Sequence, residues 1–135
     1  MSPQGVASPP VTSTTVTHLG GVPVLLCAPN GPLIDSDNAA LDLIGEAIAQ
    51  GAAWVAVPIE RLSDDFFVLR TGLAGAITQK FVNYHQRLAV VGDLSAKLAE
   101  SNALRSWVEE SNRGRHLWFV ATLQELNDRL QAHGG

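Results

Sequence analysis

The chain has 135 residues, of which 46% are hydrophobic and 16% are charged, and it carries a net charge of −4. This length and composition are typical of one globular domain with an apolar core. The negative charge argues against nucleic-acid binding, because such proteins neutralise phosphates with clustered cations, whereas the nine Lys and Arg residues are scattered along this sequence. The longest apolar stretches have the length of strands, so neither a transmembrane helix nor a membrane partner is expected.

The cysteine content and the amino-terminal residues bear on the cellular compartment. Cys27 is the single cysteine, which excludes an internal disulfide and suits a reducing environment. The first residues contain no basic region followed by an apolar run, which is the pattern of a secretory signal. Together these observations predict a cytoplasmic protein.

The first part of the chain predicts an arm and a hairpin. Residues 1–12 are expected to form a flexible amino-terminal arm, and residues 13–135 a single α/β domain. Residues 12–18 alternate in the manner of a strand, Gly20-Gly21 is a hairpin-type turn, and residues 22–28 form an apolar strand.

Helical and strand patterns then alternate to the end of the chain. Ser36 or Asp37 is a suitable cap for a helix that stops at Gly51. The remaining predicted elements are a strand over 53–58, a helix over 72–85, a strand over 87–92, a helix over 102–111, a strand over 117–121 and a last helix opened by the capping box Thr122-Leu-Gln-Glu125. The order ββαβαβαβα predicts an α/β fold in which helices cover a mostly parallel sheet with an antiparallel edge hairpin.

Four short motifs resemble a known family. They are FF-x-L-x-TG-x-AG from Phe66 to Gly75, QKF-x-NY from Gln79 to Tyr84, VGD over 91–93, and ES-N-x-GR from Glu110 to Arg115. These motifs resemble the bacterial domain-of-unknown-function family number four-one-eight-zero, and the likeness extends over residues 20–131. The resemblance implies no particular activity.

The element order is also similar to that of the STAS fold, the anti-sigma-factor-antagonist module. In that family a Ser or Thr in a D-S-S-G-L-like turn begins a helix after a central strand and is phosphorylated by a partner kinase. Thr71, followed by Gly72 and Leu73, occupies the comparable place here, although no Asp-Ser pair precedes the glycine. The resemblance implies a STAS-like regulatory module with a protein partner.

Polar residues at one edge of the predicted sheet suggest an anion site. The loops that leave strand carboxyl ends, and the helix amino termini that they feed, meet at the same edge of a parallel sheet. Thr71, Gly72, Arg61 and Asp93 should gather there. Helix amino termini favour phosphate or carboxylate, and arginine can add a bidentate partner. The structural alternative is that Thr71 caps the helix and Asp93 shapes a turn.

A second polar set is predicted at the opposite edge. A helix rises about 1.5 Å per residue, so Asn83 should lie roughly 18 Å from Thr71. Asn83, Tyr84 and Asn112 could line a small polar pocket there, or they could simply hold helix ends together.

The sequence leaves more than one function open. The four histidines lack metal-ligand spacing and the glycines form no phosphate-binding loop, so no metal and no cofactor is expected. The main hypothesis is a binding or regulatory module that recognises a protein partner, a second copy of itself or a small anionic ligand near the start of the 72–85 helix. The alternative is a small cofactor-independent enzyme, such as a lyase, isomerase or cyclase, with Asp93, Tyr84 and His85 as candidate titrating groups. A third hypothesis is a dimeric scaffold whose contact is an exposed turn at Phe66-Phe67.

Overall fold

The sheet has the predicted mixed architecture. The structure, a computed structural model, describes residues 14–132, so the arm predicted over residues 1–12 lies outside the described residues. The strands are β1 (Thr14–Leu19), β2 (Val22–Cys27), β3 (Trp54–Pro58), β4 (Arg87–Val91) and β5 (Leu117–Val120), and they lie side by side in this order. β1 is antiparallel to β2 at the edge, and the other neighbouring strands are parallel. The predicted fold class is therefore confirmed.

The helices lie between the strands as the sequence predicts, with one addition. They are α1 (Asp37–Ala49), α2 (Leu73–Asn83), α3 (Ser95–Glu100), α4 (Asn102–Arg113) and α5 (Leu123–Ala132), with short 3-10 turns at Ile59–Arg61, Asp64–Phe67 and Leu69–Thr71. α3 was not predicted, because six residues are too few to show a clear helical period. None of the helices in the described part of the chain is long and apolar enough to cross a membrane.

Local side-chain contacts explain several helix boundaries. The Ser36 hydroxyl accepts a hydrogen bond from the Ala39 N–H at the start of α1, and the Thr122 hydroxyl accepts one from the Glu125 N–H at the start of α5. Both residues satisfy amide groups that the first helical turn leaves unpaired. α2 ends two residues earlier than predicted, because His85 turns the chain with a positive φ of 61°.

The two faces of the sheet pack against different helices. Alternate residues of β3 point to opposite sides, so Val55 belongs to one apolar cluster and Trp54 to the other. α1, α2 and α4 bury their apolar residues in the cluster that contains Val55. α5 covers the other face through the fully buried Leu126 and Leu130.

The last helix, α5, packs closely against the turn of the β1–β2 hairpin. The Gly20 N–H donates to Asn127 Oδ1 at 2.8 Å. A Cβ atom at Gly20 would lie 2.5 Å from the backbone nitrogen of Gln131, and the φ of this glycine is +57°. The β1–β2 turn therefore requires glycine at position 20, both for its conformation and for its contact with α5.

The turn at Phe66-Phe67 differs from the expectation of an exposed contact. Phe66 is 0% and Phe67 is 7% exposed, and the Phe66 ring lies 6.2 Å from that of Trp107 in α4. Because α4 supplies an aromatic partner from across the fold, both rings belong to the core, and the hypothesis of an exposed Phe66-Phe67 contact is wrong. Ser63 does not cap this turn, and its buried hydroxyl has no hydrogen-bond partner within residues 14–132.

Candidate functional site

Thr71 lies at the predicted edge of the sheet, but its hydroxyl is used inside its own loop. It donates to the carbonyl oxygens of Asp65 and Val68 at 2.9 and 2.8 Å and accepts from the Leu73 N–H at 3.2 Å. Gly72 occupies the cap position of α2 with a φ of 76°. These contacts close the last 3-10 turn and connect it to the helix, so Thr71 has a structural role, although Gly72 and not Thr71 occupies the cap position.

Asp93 at the same edge also has internal partners. Its Oδ1 accepts hydrogen bonds from the Ser95 N–H at 2.9 Å and from the Ser95 hydroxyl at 2.5 Å. Both bonds favour the ionised carboxylate and hold the pKa of Asp93 below its usual value. Asp93 therefore shapes the turn into α3, and its negative charge would oppose a bound anion.

Arg61 is a buried structural residue. Its guanidinium donates from Nε to the Pro32 carbonyl at 2.6 Å and from Nη1 to the Ala28 carbonyl at 2.8 Å. Gly31 packs directly on this group, since a Cβ atom there would lie 2.5 Å from the arginine Cζ. Arg61 thus fastens the loop after β2 to the segment after β3.

The pKa of the Cys27 thiol, at the end of β2, is set mainly by its burial. Burial raises the pKa of Cys27 to about 11, although the positive charge of Arg61 acts in the opposite direction. Desolvation of the buried thiol therefore outweighs the effect of the arginine, and Cys27 itself is held in its neutral form.

The predicted residues at the opposite edge separate into two groups. Asn83 accepts a hydrogen bond from Gln79 Nε2 at 2.8 Å on the surface of α2, and Tyr84 is 49% exposed. Asn112 is different, because its Oδ1 accepts from the Phe119 N–H at 2.7 Å and so connects the end of α4 to β5. Of the three, Asn112 lines a cavity that the sequence did not reveal.

This cavity, here named the arginine cavity, has a volume of about 370 Å³. It lies at the amino-terminal ends of β3, β4 and β5, on the face of the sheet that α5 covers. Its lining consists of Arg87, Arg113, Arg115, Arg129, Trp54 and Trp118, together with Asn112 and Gly114. The volume lies in the range of small-molecule pockets, which is roughly 300–1,000 Å³.

Trp54 and Trp118 are buried, and an arginine guanidinium lies over each ring. The rings of Trp54 and Trp118 lie 4.5 Å apart. The Cζ of Arg129 lies 4.0 Å from the centre of the Trp118 ring, and the Cζ of Arg87 lies 5.9 Å from that of Trp54. Such cation–π contacts restrict the orientation of a guanidinium.

The segment that carries Arg113 and Arg115, from the end of α4 into the loop before β5, is held by hydrogen bonds to β5 and α5. Trp118 Nε1 donates to the Gly114 carbonyl at 2.8 Å, and Arg129 Nη2 donates to the Asn112 carbonyl at 2.7 Å. With the bond from Phe119 to the Asn112 side chain, these contacts fix the loop on both sides of Arg113. The arginines are thus presented by an ordered backbone.

The charges of the cavity are not balanced by its own lining. None of its described lining residues is acidic, and the ion pair found within residues 14–132 joins Lys97 to Asp64, which do not line this cavity. Arg113 and Arg115 are exposed and make no ion pair with any residue in that range. Burial lowers the pKa of Arg129, and the nearby Glu125 carboxylate offsets this only in part.

A buried donor in the same lining also lacks a partner. Trp54 is 1% exposed, and its indole Nε1 has no hydrogen-bond acceptor in the described part of the chain. Buried polar groups are nearly always paired in native structures, so an unpaired donor at a cavity wall calls for an explanation. A ligand or an ordered water would supply the missing acceptor.

The convergence of the four arginines explains why sequence reasoning missed the site. In the sequence Arg113 and Arg115 form a short basic stretch, whereas Arg87 and Arg129 lie far from it. In the fold, Arg87 begins β4, Arg115 shortly precedes β5, and Arg129 lies on the helix that crosses the same end of the sheet. Parallel strands bring their amino-terminal ends to one edge. The position of arginines just before successive parallel strands was therefore a usable signal.

A larger cavity than the arginine cavity has a different character. It is a groove of about 680 Å³ between the 3-10 segment and α3–α4, and its charged lining residues are Asp64, Arg70, Lys97 and Glu100. Two acidic and two basic residues give it no net preference for an anion. Within residues 14–132, no group of three or more His, Cys, Asp or Glu residues is arranged to hold a metal ion.

The structure thus shows an α/β domain with a basic, partly buried cavity at one edge of its sheet. A family model described as "Domain of unknown function (DUF4180)" matches residues 19–130. The chain therefore belongs to this family, as its motifs predict. No curated protein and no solved structure matches the chain, so the likeness to the STAS fold stays a prediction.

Proposed function

We propose that this protein is a binding module for a small anion and that the arginine cavity is its binding site. The observation that carries the proposal is the convergence of four arginines on one cavity whose described lining contains no carboxylate. Arginine donates two parallel hydrogen bonds to a carboxylate or phosphate, which makes it the usual residue for recognising these groups.

The lining supports binding rather than acid–base or nucleophilic catalysis. Its members are Arg, Trp, Asn and Gly, and none of these side chains exchanges a proton near neutral pH or provides a hydroxyl, thiol or carboxylate nucleophile. Asp93, Tyr84 and His85, the residues considered for an enzyme, do not line the cavity. No specific observation therefore favours the lyase, isomerase or cyclase alternative.

The proposal relocates the anion site that the sequence suggests. The Thr71 hydroxyl is bonded within its own loop, the Arg61 guanidinium is bonded to the loop after β2, and Asp93 adds a negative charge, so the amino-terminal edge offers the better environment for an anion. A regulatory role, a protein partner, a homodimer and a cytoplasmic location all stay predictions from the sequence.

Calorimetric titration with sulfate and with inorganic phosphate tests the proposal. Each anion should bind the wild-type protein, and the double variant Arg113→Ala/Arg115→Ala should bind roughly 100-fold more weakly, because two charge-assisted hydrogen-bonding groups are lost. Both residues are exposed, so the variant should fold, which circular dichroism would verify.

A matched control separates the site from general charge effects. The double variant Arg70→Ala/Arg105→Ala removes two exposed arginines that do not line the cavity and changes the net charge by the same amount. It should bind each anion as the wild type does. Equal weakening in both double variants, or the absence of any anion binding to the wild type, would refute the proposal.

A further inference from the structure

We infer that the ligand of the arginine cavity is a compact multivalent anion, which carries two or more negative charges close together. This inference rests on the proposed function, since it specifies the ligand of the same site. Diphosphate and triphosphate groups share this chemistry with small di- and tricarboxylates.

The charge of the cavity supplies the first argument. Four guanidinium groups line it, and arginine remains protonated at any physiological pH, so titration cannot remove this charge. Arg113 and Arg115, which make no ion pair within residues 14–132, alone present two positive charges. A monovalent anion would compensate only one of these two charges, whereas a di- or trivalent anion would compensate both.

The placement of the donors supplies the second argument. The four arginines come from the start of β4, the end of α4, the loop before β5, and α5. Two of them lie over the tryptophan rings. The other two flank Gly114, whose carbonyl accepts a hydrogen bond from Trp118. Donors that approach from separate elements suit a ligand with several oxyanion groups better than a single small ion.

The tryptophans argue against recognition of a nucleobase. Trp54 is 1% and Trp118 is 3% exposed, and the two rings contact each other. Proteins that bind single-stranded nucleic acid stack bases on accessible aromatic faces, which this cavity does not offer. Recognition must therefore rely on the charged part of the ligand.

The charge around the cavity argues for a compact anion rather than a long polyanion. The net charge of the chain is −4, so the remainder of the chain carries a charge of −8 when the four positive charges of the cavity are set aside. A long nucleic acid would extend over this acidic surface and be repelled, whereas a small multivalent anion would experience only the local positive field.

Titration at constant ionic strength with orthophosphate, diphosphate and tripolyphosphate tests the inference. We expect the affinity to rise by about tenfold or more from orthophosphate to tripolyphosphate. This increase should disappear in Arg113→Ala/Arg115→Ala and persist in Arg70→Ala/Arg105→Ala. Arg115→Lys, which keeps the charge but loses the bidentate geometry, should show an intermediate increase.

Further probes identify the source of the charge. Citrate is the carboxylate counterpart of tripolyphosphate. Whichever of the two binds with the higher affinity identifies the class of multivalent anion that the arginine cavity recognises. A single-stranded oligonucleotide that binds more tightly than tripolyphosphate would overturn the inference.

The failures of the two proposals are distinguishable. Orthophosphate and tripolyphosphate that bind with equal affinity at the arginine cavity would refute the multivalent ligand but leave the anion-binding module intact. An increase with valence that survives in Arg113→Ala/Arg115→Ala would likewise refute the inference, because it would arise outside the cavity. No binding of any anion would refute the proposed function itself.

Discussion

The two edges of the parallel sheet carry similar residue types but use them differently. At the carboxyl-terminal edge, the polar side chains of Arg61, Thr71 and Asp93 are bonded to groups of the loops that meet at that edge. At the amino-terminal edge, Arg113 and Arg115 make no ion pair within the described part of the chain. Polar side chains that already have internal partners are therefore poor candidates for a ligand site.

The difference follows from the lengths of the connections. The segment between β3 and α2 contains three short 3-10 turns, and such turns leave carbonyl oxygens that require donors. The Thr71 hydroxyl supplies such a donor, whereas the Arg61 guanidinium donates to carbonyls of the loop after β2. The loop between α4 and β5 is short and is held by Asn112 and Trp118, which leaves its arginines available for other contacts.

The largest expected loss of stability concerns Arg61. Arg61→Met should lower the free energy of unfolding by roughly 3 kcal/mol, because the Ala28 and Pro32 carbonyls lose their buried donor. Denaturant unfolding measures this change. Arg70→Met, at an exposed position, should cost less than about 0.5 kcal/mol. If Arg61→Met also removed anion binding, the contrast between the two edges would be incorrect.

The next effect is a dependence of stability on pH that originates at Cys27. Its pKa is about 11 in the folded protein against a usual value of 9.0, so the folded state holds this proton more tightly than the unfolded state does. The resulting stabilisation is complete below pH 9 and is lost as the pH rises towards 11, at a cost on the order of 2 kcal/mol.

Comparison with Cys27→Ala isolates this contribution from the other groups that titrate at high pH. Denaturant midpoints measured between pH 8 and pH 11 should fall more steeply for the wild type than for the variant. Parallel curves would show that the thiol ionises as easily in the folded protein as in the unfolded chain.

A smaller effect is expected at Asn112. Asn112→Ala should cost about 1.5 kcal/mol, because the buried N–H of Phe119 loses its acceptor. The variant should also bind phosphate several-fold more weakly, since the loop that presents Arg113 and Arg115 becomes less ordered. Unfolding and titration experiments measure the two effects.

Asn83→Ala provides a matched control, as Asn83 is an exposed amide that bonds to Gln79 on the same helix. It should leave both the stability and the affinity nearly unchanged. Equal effects of the two substitutions would show that the amide of Asn112 has no special role in the loop.

The sequence contained most of the fold because the fold depends on local and periodic signals. Apolar strands, the Gly20-Gly21 turn and the caps at Ser36 and Thr122 predicted the element order that the structure confirms. The direction of the strands followed from the lengths of their connections.

The site was only partly predictable because it depends on pairs of residues far apart in the chain. Asn112 was recognised as a candidate, but the approach of Arg129 to Trp118 requires α5 to cross the sheet, and no local pattern reports this. Phe66 was misjudged for the same reason, since its burial depends on Trp107 in a later helix.

The smallest expected loss of stability concerns Thr71, and its substitution compares the two edges of the sheet most directly. Thr71→Val should destabilise the protein by about 1 kcal/mol, because the Leu73 N–H loses its acceptor and two loop carbonyls lose a donor. Thr71→Ser keeps the hydroxyl and should recover most of this loss. Thermal melting with and without tripolyphosphate should show the same ligand-induced shift for Thr71→Val as for the wild type, since the hydroxyl is occupied within its loop. A shift that disappears in Thr71→Val and persists in Arg113→Ala/Arg115→Ala would place the anion at the start of α2.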